Sequence, residues 1–247
     1  MLYYHETTEF EPDGKGGHWR EDYWKEFIGR LSPNIAKRGM PVVGVWETAL
    51  GAGNTNEIIF LYRTKDYTTC GEWLKAAKTD PVVINRRGEM WVYREHWYTK
   101  LMQTSPGHDL SILKATENDE RWAHATDQSW LYYQETVQFE HDGKNGHWFR
   151  DYWPQFNGKL VPHLKTLKID LVGAWETPVG SGVGSEFTFL WRTKDFGTWA
   201  EFVTSRKTDS FVKRWKAETA DYLYRWDSRL LIPAPGHEVS ILRKLGE

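Results

Sequence analysis

The chain has little cysteine and no long apolar run. Cys70 is its one cysteine in 247 residues, which excludes an internal disulfide framework and a cysteine-rich metal site. No segment is apolar for long enough to span a membrane as a helix, and His5 and Glu6 interrupt any leader at once. We therefore expect a cytoplasmic protein that does not bind membranes.

An excess of charge of one sign is also missing. Lys and Arg together number 32 and Asp and Glu 34, a formal net charge of −2. A nucleic-acid groove requires a basic patch or stripe, so we expect no nucleic-acid partner. No metal-ligand spacing such as His-Glu-x-x-His occurs, and we expect neither a metal nor an organic cofactor.

The most prominent feature of the sequence is an internal duplication. Leu2-Tyr3-Tyr4 recurs as Leu131-Tyr132-Tyr133, and the spacing of 129 residues then holds without a gap as far as Lys114. About 50 of the 113 aligned pairs are identical, which indicates two copies of one fold. We predict one repeat over 1–114, a polar linker over 115–128 and a second repeat over 129–247.

Each repeat has the pattern of alternating strands and amphipathic helices. In the first repeat, strands are predicted near 2–10, 42–48, 57–63 and 91–101, with a last short strand over 110–113. The order β-α-β-β-α-β is the ferredoxin-like plan, an α+β fold. Because one helix layer covers only one face of such a sheet, we predict that the two bare faces pack into an α/β barrel within the chain.

Aspartates and prolines predict the helix boundaries. Asp66 is the expected cap of the second helix, and Asp80-Pro81 should break or restart it. Pro33 and its counterpart Pro162 lie late in the first helix and should kink it.

Fifteen tryptophans indicate bulky aromatic interiors. If the hairpin after the second strand centres on Ala52, Trp46 lies beside Ile58 and shares a face with Phe60, and we assign this face to the barrel interior. The aromatic side chains expected to bind a small apolar or aromatic molecule are Tyr4, Trp46, Phe60, Tyr62, Tyr93, Trp97, Tyr133, Trp175, Trp191, Tyr222, Tyr224 and Trp226. The alternative is that these rings only fill two cores and the interface between them.

Glu6 and Glu135 are the leading candidates for catalytic residues. A carboxylate among aromatic rings is desolvated, so its pKa should rise towards the range of a general base. The alternative is a carboxylate that accepts a hydrogen bond from tyrosine or pairs with arginine. If only one half works, we expect the N-terminal pocket, where Glu95 and either His5 or His96 are also available.

Histidines on loops are the remaining candidates. His18 and His147 lie on a glycine-flanked loop and could transfer protons, or could cap a helix. His108 and His237 follow Pro-Gly and could contact the substrate, or could bond to the backbone of a turn.

Two stretches resemble a known family. The run Trp226-Asp227-Ser228-Arg229-Leu230-Leu231-Ile232-Pro233 resembles the closing strand of NIPSNAP-like proteins. Gly173-Ala174-Trp175-Glu176-Thr177, with the strand up to Leu190-Trp191, resembles their central hairpin, and the late Pro162 also fits. The resemblance covers both repeats almost end to end, departs from the family at Gly-Gly-His-Trp (16–19), and implies a fused form of a dimeric α/β-barrel domain.

Such a fold leaves the reaction open, because dimeric α/β barrels include monooxygenases, isomerases, lyases, haem proteins and plain binders. We predict a cofactor-independent lyase, isomerase or oxygenase that acts on a small aromatic or apolar molecule. A non-catalytic binding or scaffold protein is the alternative, favoured if no cavity reaches roughly 300 Å³. A haem-binding barrel is the third interpretation. The oligomeric state stays open, with a homodimer as one option.

Overall fold

The computed structural model describes residues 1–10, 19–50, 56–117, 130–140, 148–178 and 184–244. The strands are β1 Leu2–Phe10, β2 Val42–Leu50, β3 Glu57–Thr64, β4 Arg94–Thr104, β5 Leu131–Phe139, β6 Asp170–Glu176, β7 Glu186–Thr193 and β8 Leu223–Pro233. The α-helices are α1 Trp19–Glu26, α2 Ser32–Lys37, α3 Tyr67–Thr79, α4 Pro81–Trp91, α5 Ile112–Thr116, α6 Trp148–Gln155, α7 Val161–Thr166, α8 Phe196–Ser205, α9 Ser210–Thr219 and α10 Ile241–Lys244. Among the described residues, no helix is both long and apolar enough to cross a membrane.

The chain divides into two compact units. The first contains the described residues up to Met102 and those from Ile232 onwards. Its strands are hydrogen-bonded in the order β4-β1-β3-β2, and the backbone N–H of Ala234 donates to the carbonyl of Val45 at 3.0 Å. The strand order 4-1-3-2 with a helix layer on one face is the ferredoxin-like arrangement.

The second unit contains the described residues 103–117 and those from Trp130 to Leu231. Its order is β8-β5-β7-β6, and the Ser105 N–H donates to the Ala174 carbonyl at 3.1 Å. The predicted α+β class of ferredoxin-like repeats is therefore confirmed. The two units do not follow the predicted repeat boundaries at their ends, and α5 extends to Thr116, inside the predicted linker.

The aromatic side of each sheet lies beneath helices, contrary to the prediction. In the first unit, Phe27 packs on Phe60 with ring centroids 5.2 Å apart, in a buried cluster that includes Tyr23 and Tyr62. In the second unit, Phe156 packs on Phe189 at 5.0 Å. The aromatic residues of β3 and β7 therefore form the helix-covered core.

The predicted hairpin register is wrong by one residue. Trp46 lies opposite Ile59, not Ile58, and the pairing shifts between Val42 and Gly44. Successive strand residues point to opposite faces, so a slip of one residue moves Trp46 to the side of the sheet away from Phe60. The same shift in the second unit places Trp175 opposite Thr188.

Aspartate caps set the helix starts as predicted. The Asp66 carboxylate accepts the Thr69 backbone N–H at 2.8 Å and begins α3. Asp80 ends this helix and accepts the Val82 N–H at 2.9 Å, which begins α4 at Pro81.

The late prolines of the first helical region coincide with a change of helix type. A π-helical turn, Phe27–Leu31, separates α1 from α2 and places Pro33 in the first turn of α2. Phe156–Leu160 and Pro162 repeat this in the second unit. Proline lacks the N–H that the preceding turn would need, and the wider turn accommodates this loss.

The last predicted strand is instead helical. A 3₁₀ segment, Pro106–Leu110, leads into α5, and Pro235–Val239 leads into α10. A Cβ on Gly236 would lie 2.3 Å from Trp24 Cζ3, so only glycine allows this segment to pack on the Trp24 ring.

Candidate functional site

The second unit contains a cavity of about 370 Å³ between its sheet and its helices. Strands β5, β7 and β8 form its floor, and the helices from α6 to α9 cover it. Most lining side chains are apolar or aromatic, and they include Tyr133, Tyr152, Phe156, Trp191, Trp215 and Trp226. The volume lies within the range of small-molecule sites, roughly 300–1,000 Å³.

Glu135 places a carboxylate in this apolar cavity. Trp191 Nε1 donates to one of its oxygens at 2.8 Å, and Trp226 Nε1 donates to the other at 3.1 Å. The Tyr133 hydroxyl is a third hydrogen-bond partner. Because a carboxylate offers about four acceptor positions, one remains for a proton of a bound molecule.

The surroundings of Glu135 make it a stronger base than an exposed glutamate. Burial raises its pKa above the usual range, and the hydrogen bonds from its three donors only partly oppose this. Burial also raises the pKa of Tyr133 far above its usual value, and the Glu135 charge adds to the effect. Tyr133 therefore keeps its proton at neutral pH.

Two cations complete the charged part of the lining. Arg206 follows the last turn of α8, and Lys216 lies on α9. Arg206 is near enough to Glu135 to lower the pKa of that carboxyl electrostatically. Arg206 and Glu135 do not form an ion pair in the part of the chain that the structure describes.

The first unit differs at the equivalent position. Its cavity is only about 70 Å³, and its carboxylate, Glu6, is paired with Arg94 at 2.9 Å. Arg94 also donates to the Tyr23 hydroxyl at 3.1 Å. Burial disfavours the charged form of the Arg94 guanidinium. The electrostatic effects of Tyr23 and Glu6 are stronger in sum and raise the pKa of Arg94.

Larger side chains fill the first cavity. Trp73, Met90, Trp91 and Arg94 line it, and their counterparts in the second unit are Phe202, Thr219, Ala220 and Leu223. Each replacement removes volume, and the last also removes the cation that neutralises the glutamate. The second unit therefore has the larger cavity, whereas the sequence pointed to the N-terminal pocket if only one half works.

Several predicted site residues do meet at these cavities. Tyr4, Glu6, Tyr62 and Trp97 line the first. Tyr133, Glu135, Trp191 and Trp226 line the second. Their roles stay predictions.

Glu95 and Tyr224 do not face a cavity, and both predicted positions need correction. Glu95 is exposed on β4, and Tyr224 is 69% exposed on β8. On β8 the pairing with β5 jumps from Arg225 to Leu223, so Tyr224 is the extra residue of a bulge. The bulge turns Leu223 to the cavity side, and its counterpart Arg94 lines the first cavity.

Other predicted aromatic positions are packing residues. Phe60, Tyr93 and Tyr222 belong to the buried clusters and do not line a cavity. Trp46 and Trp175 are buried on the other side of their sheets.

His108 and His237 are structural residues of the 3₁₀ segments. The His108 ring bonds to Ser111 Oγ at 3.1 Å and to Glu117 at 2.9 Å, and burial lowers its pKa. The His237 ring bonds to Ser240 Oγ at 3.2 Å. Neither histidine lines either of the two cavities, and each ring bonds to a serine side chain of its own turn. Their predicted contact with a substrate stays a prediction.

His5 is buried and His96 is exposed, and neither lines the first cavity. His18 and His147 lie outside the described residues.

Among the described residues, no group of three His, Cys, Asp or Glu side chains is placed to hold a metal ion. The described lining of the second cavity contains no histidine, so the haem interpretation finds no imidazole ligand there.

Sequence analysis missed Arg94 and Arg206, which set the charge of the two cavities. The signal was present in the alignment of the repeats, where Arg94 corresponds to Leu223 and Arg206 to Ala77. What was missing was the β-bulge at Tyr224, which places Leu223, the counterpart of Arg94, on the cavity side of β8.

Comparison with solved structures shows the fold of the whole chain. A chlorite dismutase variant from Candidatus Nitrospira defluvii aligns with a TM-score of 0.56 at 10% identity, covering 99% of this chain and 95% of that one. A "putative monooxygenase" from Lactobacillus acidophilus NCFM aligns with a TM-score of 0.52 at 10% identity, covering 95% and 96%. A second "putative monooxygenase", from Fusobacterium nucleatum, aligns at 0.51 and 9% identity, covering 94% and 92%. The chain therefore shares its fold with these proteins over almost its whole length.

The family of the chain is not shown. A NIPSNAP family protein from Agrobacterium tumefaciens covers 45% of this chain with a TM-score of 0.37, too low to carry an argument. No protein-family model matches the chain, and no curated protein matches it.

Proposed function

We propose that the chain is an enzyme that binds a small aromatic or apolar molecule in the second cavity and begins its reaction by proton transfer to Glu135. The observation that carries the proposal is a half-buried carboxylate of raised pKa, held by two indole N–H groups and a tyrosine in an apolar cavity of about 370 Å³. The fold shared with monooxygenases and chlorite dismutase is consistent with an enzyme.

Glu135 acts as the general base in this proposal. Its carboxylate takes a proton from an acidic C–H or O–H of the bound molecule, and the ring system of that molecule delocalises the resulting charge. Tyr133, which stays protonated, and the two indole N–H groups hold the carboxylate in place. A positioned base of this kind contributes roughly 10²–10⁴-fold to a rate.

Lyase, isomerase and cofactor-free oxygenase reactions all begin in this way. The three reaction classes differ in what the deprotonated molecule does next: it eliminates a group, takes the proton back elsewhere or reacts with dioxygen. The proposal covers all three reaction classes. The likeness to NIPSNAP proteins, which rests on the motifs in β6 and β8, adds no chemistry to it.

The non-catalytic alternative has one observation in its favour. The cavity of the first unit, about 70 Å³, is far below the size that a small ligand needs, so this half resembles a filled core. The second cavity exceeds the threshold, which favours a ligand-binding function for that half.

The test is turnover of a panel of small aromatic molecules with acidic C–H or O–H groups, assayed with and without dioxygen. We expect Glu135→Gln to lower kcat by about a thousandfold for any molecule that the wild type converts, because the amide cannot accept the proton. The matched control is Glu6→Gln, which alters the equivalent carboxylate in the filled half.

Circular dichroism and thermal unfolding would establish that both variants fold. Wild-type kcat in the folded Glu135→Gln variant would contradict the proposal, and so would an equal loss in folded Glu6→Gln.

A further inference from the structure

Neither of the two cations of the second cavity forms an ion pair with a carboxylate among the described residues, although the charge of Arg206 acts on Glu135 from a distance. Arg206 is half-buried, and neither it nor Lys216 takes part in an ion pair there. A guanidinium that is partly removed from water without an anionic partner is unfavourable. An anion supplied by a ligand would complete this part of the cavity.

The first unit provides an internal comparison. Ala77 stands where the second unit has Arg206, and the cation of the first cavity, Arg94, is already neutralised by Glu6. In the second unit, Leu223 replaces the strand arginine, and the cation lies at the helix end instead. Arg206 acts on Glu135 only through its electrostatic field, without an ion pair, and its guanidinium can therefore bond to another anion.

The chain segment that carries both cations is strongly basic. Arg206, Lys207, Lys213, Arg214 and Lys216 lie within eleven consecutive residues, with Asp209 as the one acidic residue among them. The Asp209 carboxylate caps α9 through the Val212 N–H at 2.8 Å and bonds to His163 at 3.0 Å. The segment thus presents a positive field to molecules that approach the cavity.

We infer that the second cavity takes an aromatic or apolar molecule that carries an anionic group, a carboxylate or a phenolate, held by Arg206 with Lys216 beside it. The inference rests on the proposed function and deepens it by naming the class of substrate. The ring lies among the aromatic side chains, and the anionic group points to the end of α8. The planar guanidinium suits a carboxylate because it can donate two parallel hydrogen bonds.

A pair of probes of nearly equal shape isolates the charge. 2-Naphthoate and 2-naphthamide differ in one group, which is anionic in the first at neutral pH and neutral in the second. Isothermal titration calorimetry on the full chain would measure the Kd of each probe for the wild type, Arg206→Gln, Arg206→Lys and Lys207→Gln. Lys207 is the matched control, because it carries the same charge next in sequence but is exposed and does not line the cavity.

We expect the wild type to bind the naphthoate about tenfold more tightly than the amide, as a charge-assisted hydrogen bond would provide. Arg206→Gln should remove this preference and leave the Kd of the amide unchanged. Arg206→Lys should keep part of the preference, and Lys207→Gln should keep all of it.

Equal binding of both probes by the wild type would overturn the inference and leave the proposed function standing. A preference that survives in Arg206→Gln would overturn the role of this arginine. Failure of both probes to bind would count against the aromatic cavity itself, and therefore against the inference and the proposed ligand class together.

Discussion

Glu6 and Glu135 occupy equivalent positions on β1 and β5 but differ in their hydrogen-bond and ionic partners. Glu6 is paired with Arg94, whereas Glu135 accepts hydrogen bonds from two tryptophans and a tyrosine. Burial raises the pKa of Glu135, and its neutral donors only partly oppose this. The cation that pairs with Glu6 is absent at the equivalent position of the second unit, where Leu223 stands in place of Arg94.

The free energy of unfolding should depend on pH through Glu135. Its folded pKa is raised by burial above the ordinary value of 4.5, so the protonated form favours folding. This contribution is fully present below the unfolded pKa and is lost as the pH rises through the folded pKa. We therefore expect the stability of the wild type relative to Glu135→Gln to decline as the pH rises from about 4.5 towards neutrality.

Urea denaturation of both proteins over this pH range would measure the difference. A difference that does not vary with pH would show that the carboxyl has an ordinary pKa in the folded protein.

Glu6→Gln should behave differently at neutral pH. It leaves the buried Arg94 without its carboxylate, and breaking a buried pair in this way destabilises by about 3 kcal/mol. Urea denaturation of the wild type and of this variant would measure the loss. A change of less than about 1 kcal/mol would indicate that the pair behaves like an exposed one.

At the scale of elements, the helices of each unit depend on a close approach by the Pro-Gly-His segment. Gly236 packs on Trp24 and Phe27, and Gly107 packs on Phe156 and Trp153. The histidine that follows each glycine bonds to a serine three residues later and fixes the turn. The conserved-looking motif of the two repeats is thus a packing device, not part of the site.

Gly236→Ala should destabilise the protein by about 2 kcal/mol, because overpacking of a filled core forces neighbouring rings to move. The added Cβ would lie 2.3 Å from a Trp24 ring atom. Thermal and urea unfolding would measure the effect.

Gly71→Ala is the matched control for this substitution. Gly71 lies inside α3 with no atom within 4 Å of the added Cβ, so alanine should stabilise the helix by about 0.5–1 kcal/mol. Equal effects of the two substitutions would refute the packing argument.

At the scale of the whole molecule, we expect one small molecule to bind per chain. Both halves have the same strand order, yet bulkier side chains fill the first cavity and smaller ones line the second. In a fused pair of repeats, one repeat can have a purely structural role while the other binds the small molecule. The predicted homodimer and cytoplasmic location stay predictions.

The double variant Thr219→Met with Ala220→Trp gives the second cavity two residues of the first, the counterparts Met90 and Trp91. We expect this double variant to weaken binding of 2-naphthamide by at least about tenfold, because the added side chains occupy the ligand volume. Calorimetry would measure both the Kd and the number of molecules bound per chain.

Ala217→Trp is the control, since Ala217 is exposed on α9 and does not line the cavity. Wild-type binding by the folded double variant would show that the probe binds elsewhere.

The sequence by itself determined the order of the four main strands of each repeat, the aspartate caps and the equivalence of Glu6 and Glu135, because each follows from local patterns and from the repeat. Strand parity also placed Tyr4, Glu6, Phe60 and Tyr62 on one face, and in the structure Tyr4 lies opposite Tyr62 and Glu6 opposite Phe60.

Only the tertiary structure decided which face the helices cover, which half holds the cavity and which cation meets each glutamate. The physical reason lies in two irregularities of pairing, the shift at Gly44 and the bulge at Tyr224. Each adds one residue to a strand and moves the following side chains to the other face, and no local pattern marks where such a residue will stand. In the first unit Arg94 lines the cavity and pairs with Glu6, whereas Leu223 at the equivalent position leaves Glu135 in an open cavity.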